Sequence, residues 1–229
     1  MAQVTGLFSG LNGRVGEIVY YQRGGRTFTR RRPSKRGNPP SEQERARQAQ
    51  FAITGRIARE ISMIDELKYF WKPIRSKNQT GYNLIVKANY NKIDTENLKG
   101  SIILSPDFGF SLTKKSISIG NSEILMTCDP LITSGINYYE KKAKYIVAAG
   151  VILMKNPQKE NLPDYEIMSF RSKRNLFSIN SKIRIVVPMG GVFNDIFRKY
   201  SIKKVFAVFI VLDKEGIPIK HSTTMFSET

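Results

Sequence analysis

Hydrophobic positions follow three regimes along the chain. From residue 41 to about 91 they recur at intervals of three and four; from 101 onward they alternate or merge into apolar runs; before residue 40 they are sparse among glycine and arginine. A spacing near 3.6 marks one buried helix face and a spacing of two marks a strand. The expected class is therefore α+β: a basic N-terminal arm with a β-hairpin, a helical hairpin, then a mainly antiparallel β-sandwich. The corresponding segments are a 1–40 basic arm, a 41–98 helical segment and a 99–229 sandwich domain.

The clearest helix begins at Ser41. Asn38-Pro39-Pro40 ahead of it resists helix, because proline lacks the amide donor and restricts its predecessor. Ser41 with Glu44 makes a capping-box pattern, and Ala46, Ala49, Ile53, Ile57 and Ile61 follow at helical spacing. Gly55 inside it costs up to about 1 kcal/mol relative to alanine, so this helix should depend on packing its isoleucine stripe. A second apolar group, Leu67, Tyr69, Phe70 and Trp71, stops at Pro73. Thr80 can cap a further helix running to about Asn91, with Tyr82, Ile85, Val86 and Asn89 on one face, an antiparallel partner for the first.

Beyond residue 101 the short runs Ile102–Leu104, Phe108–Leu112, Ser116–Ile119 and Ile124–Thr127 read as strands. Longer apolar segments follow at Tyr145–Met154, Tyr165–Phe170, Ile183–Val187 and Val205–Leu212, and eight or so strands imply a sandwich. Asn194–Tyr200 suits a short helix. Gly190-Gly191 before it reads as a turn, since the Gly-Lys-Ser/Thr of a phosphate loop does not follow.

In the N-terminal segment, Ile18–Arg23 and Arg26–Arg30 are β-prone runs on either side of Gly24-Gly25, a pair that closes two-residue hairpins. That closure sets Arg23 opposite Arg26, Tyr21 opposite Phe28 and Val19 opposite Arg30, and residues paired across strands share a face. Like charges directly opposite one another are destabilising unless an anion lies near them. Guanidinium groups fork onto phosphate oxygens and aromatic rings stack on bases, so this mixture suits nucleic acid.

Charge strengthens that expectation. Lys and Arg number 37 against 19 Asp and Glu, a formal net charge of +18, while 41% hydrophobic residues leave enough apolar material for a core. Residues 1–40 hold Arg14, Arg23, Arg26, Arg30, Arg31, Arg32, Lys35 and Arg36 against the single acid Glu17. The candidate polyanion-binding set is those eight bases with Tyr21 and Phe28. Residues 101–229 are basic as well, which implies an anionic environment for the folded part too.

Other chemistry is poorly supplied. Cys128 is the sole cysteine and His221, in a polar tail expected to be exposed, the sole histidine, so no disulfide, metal cluster, catalytic triad or cofactor site is expected. Asp65-Glu66 and Asp164 with Glu166 are the nearest acid pairs, and each reads as a solvated helix end or strand edge. Met1–Phe8 lacks a signal-peptide pattern, and no stretch approaches the ~20 apolar residues of a membrane span. The expected location is a virion or the host cytoplasm.

Gly10, Gly13, Val15, Gly16, Tyr20-Tyr21, Gly24-Gly25, Arg30, Arg32-Pro33 and Asn38-Pro39, followed by Ser41, Gln43, Arg47, Gln48 and Phe51, carry a family resemblance. Chiefly over residues 1–55, and more loosely at Tyr82–Asn89, the chain resembles an uncharacterised bacterial and prophage domain-of-unknown-function family with a Gly/Arg-rich N-terminal motif. The resemblance implies a basic start, a helical segment and a β-sandwich in a phage-linked setting. The expected function is that of a non-enzymatic structural protein of a bacteriophage virion, assembled in multiple copies. Its arm would contact packaged nucleic acid, through the phosphates and without sequence preference, or neighbouring capsid chains. The alternative is a cellular nucleic-acid- or ribosome-associated binding protein.

Overall fold

The computed structural model describes residues 2–6, 10–34, 37–72, 79–93, 101–106, 109–120, 122–136 and 142–228. They divide into two compact units, one ending at Arg45 and the other beginning at Ala46. The fold is α+β with antiparallel sheets throughout.

The first unit is a four-stranded sheet of β1 (Ala2–Val4), β2 (Gly13–Val15), β3 (Ile18–Arg23) and β4 (Arg26–Arg31), in the order β1-β4-β3-β2. The hairpin β3–β4 has the register its turn dictates: Arg23 opposite Arg26, Tyr21 opposite Phe28 and Val19 opposite Arg30. Gly24 and Gly25 have φ of 58° and 74°, the double left-handed conformation of a type I′ turn, whose twist matches the flanking strands. Sequence pattern missed β1 and β2, because three residues are too few to display a period of two.

Next along the chain, α1 (Glu42–Met63), α2 (Asp65–Trp71) and α3 (Gly81–Asn89) precede nine described strands and one more helix. The capping box at the start of α1 forms reciprocally: the Ser41 amide donates to Glu44 Oε2 (2.9 Å) and the Glu44 amide to Ser41 Oγ (3.4 Å). Thr80 caps α3, its side chain accepting from the Asn83 amide. Ile53, Ile57 and Ile61 are buried, each contributing roughly 1.5–3 kcal/mol through apolar surface removed from water, whereas Ala46 and Ala49 are exposed. Tyr82 Oη donates to the Gly55 carbonyl, and Gln50 Nε2 to those of Tyr90 and Ile93, so α3 runs antiparallel to α1. A β-carbon at Gly55 would stand 3.0 Å from that tyrosine hydroxyl, which is why glycine is tolerated inside the helix.

The strands are β5 (Ser116–Ile119), β6 (Glu123–Cys128), β7 (Tyr145–Pro157), β8 (Tyr165–Arg171), β9 (Asn175–Leu176) and β10 (Ile183–Pro188). After α4 (Val192–Phe197) come β11 (Tyr200–Leu212), β12 (Pro218–His221) and β13 (Met225–Glu228). One sheet runs β10-β6-β5, and the other β12-β11-β7-β8, with β13 added to β11 and β9 to β7. Alternate residues of β7 and β11 serve two cores. Ile146, Ala148, Ile152 and Met154 with Val205, Ala207, Phe209 and Val211 face the smaller sheet, whose Ile124, Met126, Ile183, Ile185 and Val187 share their core. Val147, Ala149, Val151 and Leu153 with Phe206, Val208, Ile210 and Leu212 pack under Ile57, Ile61, Leu67, Trp71 and Ile85. Helices, large sheet and small sheet thus form three layers, and burial on both faces makes the β7 and β11 sequences continuously apolar.

Among the described residues, two expected strands are not formed. Ile102–Leu104 is buried irregular backbone, held by side chains: Asn89 Oδ1 accepts from the Ile103 amide (2.8 Å), Asn89 Nδ2 donates to the Ile103 carbonyl (3.1 Å), and Trp71 Nε1 donates to the Leu104 carbonyl (2.9 Å). Those bonds satisfy the backbone that a ladder would otherwise satisfy. In Phe108–Leu112, Phe108 lies outside the described residues and Phe110 makes only an isolated bridge to Ser222.

The C-terminal segment also departs from expectation. His221 is buried at the end of β12, paired with Ile210, its ring edge-on to Phe70 at 4.7 Å and Nδ1 3.0 Å from Ser105 Oγ. Strand pairing to β11 draws this polar stretch into the sheet. Among the described residues no helix is long and apolar enough to cross a membrane.

Candidate nucleic-acid interface

Strand pairing assigns the faces of the N-terminal sheet. Arg14 of β2 lies opposite Val19, Val19 opposite Arg30, Tyr21 opposite Phe28, Phe28 opposite Gln3 of β1, and Arg23 opposite Arg26. One face therefore carries Arg14, Arg23, Arg26, Arg30, Tyr21, Phe28, Val19 and Gln3. The residues fall in three rows. Arg23 and Arg26 form one end, Tyr21, Phe28 and Gln3 the middle, and Arg14, Val19 and Arg30 the far end. Successive rows are two residues apart, about 6.7 Å along the strands.

The aromatic rings of Tyr21 and Phe28 stack with centroids 5.8 Å apart and planes inclined by 25°. The Arg30 guanidinium lies over the Tyr21 ring, 5.9 Å from its centroid. Arg14 Nε donates to the Gly16 carbonyl (2.9 Å), which orients its side chain. All four arginines are exposed, and among the described residues no carboxylate ion-pairs with them. The four strands contain no acidic residue.

The opposite face is closed in part by the chain itself. Thr27 is buried there, its Oγ1 accepting from the Gly10 amide (2.8 Å), and Gln22 Nε2 donates to the Gly10 carbonyl (2.9 Å). Gly10, between β1 and β2, thus lies against this side. Val15 and Ile18 on the same side remain exposed at 64% and 44%.

Sequence reasoning placed ten residues in the candidate site, and the sheet gathers six of them on one face. Arg31 faces the other side, opposite Ile18, and Arg32 lies past the strand end with its amide donating to the Glu17 carbonyl (2.7 Å). Lys35 and Arg36 lie outside the described residues. Gln3 was missed; only its pairing with Phe28 brings it there, and no local sequence signal marks it.

The acids differ from their expected settings in one case. Glu66 is not solvated: it is buried, and Arg171 places Nε 2.7 Å and Nη2 2.5 Å from its Oε1. Asp65 and Asp164 are exposed, and Glu166 is half-buried on β8, an edge strand. Cys128 is fully buried, and burial, aided by neighbouring Asp129, pushes its thiol up to about 11. Burial likewise raises Tyr200, whose hydroxyl donates to the Pro163 carbonyl. Among the described residues no group of three or more His, Cys, Asp or Glu is placed to hold a metal.

Neither a protein-family model nor a curated protein matches the chain. Among solved structures, β-glucosidase 3B from Thermotoga neapolitana in complex with α-D-glucose is similar at 14% identity over 52% of this chain and 16% of its own, with a TM-score of 0.19.

Proposed function

We propose that this is a non-enzymatic structural protein whose N-terminal sheet grips nucleic acid through its phosphates. The setting is that of a phage particle, as the resemblance over residues 1–55 implies. The observation that carries the reading is the four-arginine face, with Arg14, Arg23, Arg26 and Arg30 in register around two aromatic rings and no acid on the strands. Cross-strand Arg23 and Arg26 repel one another in the free protein, and a phosphate between them turns that repulsion into attraction. Phosphate contacts of this kind displace condensed counterions and read no sequence.

Removing residues 1–40 tests the reading while leaving the capping box and the second unit's cores in place. The truncated chain should keep a cooperative thermal transition and lose retention on immobilised DNA and RNA at low salt. Unchanged retention would overturn the role of the sheet. A second reading, anchorage on another protein chain, draws on the opposite face, where Val15 and Ile18 leave apolar surface exposed. Under that reading Val15→Ser with Ile18→Ser would abolish co-assembly with virion proteins and leave DNA retention intact.

A further inference from the structure

We infer that the nucleic acid taken by this face is single-stranded, with bases stacked at the middle row and phosphates held at the two ends. The inference rests on the polyanion reading above and adds to it the form of the ligand. Three observations carry it.

The aromatic row sits between the arginine rows and not beside them. Arg23 and Arg26 are separated from Arg14 and Arg30 by four residues of strand, about 13 Å, with Tyr21 and Phe28 midway. A strand that puts phosphates at both ends and a base over the centre must turn that base out toward the rings, whereas the bases of a duplex are paired and stacked inside it. Only an unpaired strand can do this at small cost. Duplex DNA laid across the same face would offer phosphates and leave the rings opposed to its backbone.

The sheet is also too broad to enter a groove. Three strand spacings separate the outer strands by about 14 Å before side chains are added, whereas the major groove is about 12 Å wide. The hairpin tip offers no narrow ribbon instead. Beyond the Val4–Thr27 pair of β1 and β4 only the Arg23–Arg26 pair and its glycine turn project, too little to reach base edges in a groove about 8.5 Å deep.

Finally, the Tyr21 ring already accepts a planar π-cation, since the Arg30 guanidinium lies over it. A base occupies the same kind of place, and the displaced guanidinium then has a phosphate oxygen to bind. Because every base has a π-face, the site is indifferent to sequence.

The test uses the full chain at low ionic strength, with fluorescence anisotropy of a labelled oligothymidylate of about 20 nucleotides and of a mixed-sequence duplex of the same length. The single strand should bind at least about ten-fold more tightly. Tyr21→Leu with Phe28→Leu keeps apolar bulk on both strands but removes the stacking surfaces. It should weaken single-strand binding about five-fold or more and duplex binding by much less, so that the preference for the single strand shrinks. Equal or tighter duplex binding, or an unaltered preference in the leucine variant, would overturn the single-strand inference and leave the phosphate-gripping reading standing. Failure to bind either form would overturn both.

Discussion

Arg171→Met tests how the helical layer is held on the large sheet. Arg171, on β8, directs two guanidinium nitrogens at one oxygen of Glu66, on α2, while Glu66 Oε2 is buried with no hydrogen-bond partner among the described residues. Removing the guanidinium strands a carboxylate that is 6% exposed, and breaking a fully buried pair in this way costs about 3–5 kcal/mol. The Arg171 side chain is 37% exposed, so water reaches the vacated place and lowers the expected cost to about 2–3 kcal/mol. For a unit of this size that is a fall in Tm of about 4–12 °C, read by circular dichroism or by urea denaturation with unchanged m. Adding Glu66→Leu removes the stranded charge and should recover stability to within about 1 kcal/mol of the natural pair. A single variant within about 0.5 kcal/mol of the natural protein, or a double variant no better than the single, would refute the reasoning.

Two further outcomes follow from the sheet and the core. Arg23→Thr relieves the like-charge pair with Arg26, so the hairpin should gain about 0.5 kcal/mol at low salt, seen as slower exchange of the cross-strand-bonded amides of Tyr21 and Phe28, while DNA binding weakens. Cys128 should resist thiol reagents in the folded protein at pH 8 and react on unfolding, since its pKa is raised to about 11. Below about pH 9 that thiol is neutral in folded and unfolded chains alike; between about 9 and 11 the unfolded chain loses its proton first, so stability falls as pH rises, with Tyr200 acting in the same sense.

What could be read in the sequence was local. Gly24-Gly25 specifies a turn whose geometry fixes the register of six cross-strand pairs, and Ser41 with Glu44 specifies a helix start, because each signal involves residues within a few positions of one another. What escaped depended on distant partners. Ile102–Leu104 looks like a strand, yet Asn89 and Trp71 supply its hydrogen bonds from the helical layer. Glu66 looks like a solvated helix end, yet its partner Arg171 is 105 residues away. His221 sits among polar neighbours in sequence but among β11, Phe70 and Ser105 in space. In the candidate interface the hairpin residues were legible because their turn was, and the position of Arg14 on the same face emerged only from the pairing of a three-residue strand.

The central claim is that four arginines on one sheet face neutralise phosphates. The salt dependence of DNA binding by the natural protein and by a variant with Arg14, Arg23, Arg26 and Arg30 all replaced by glutamine tests it most directly. Each phosphate contact contributes about 0.7 to the slope of log K against log salt for a single strand and about 0.9 for a duplex, so the slope should become shallower by about three in the variant. An identical slope in the two proteins would contradict the account.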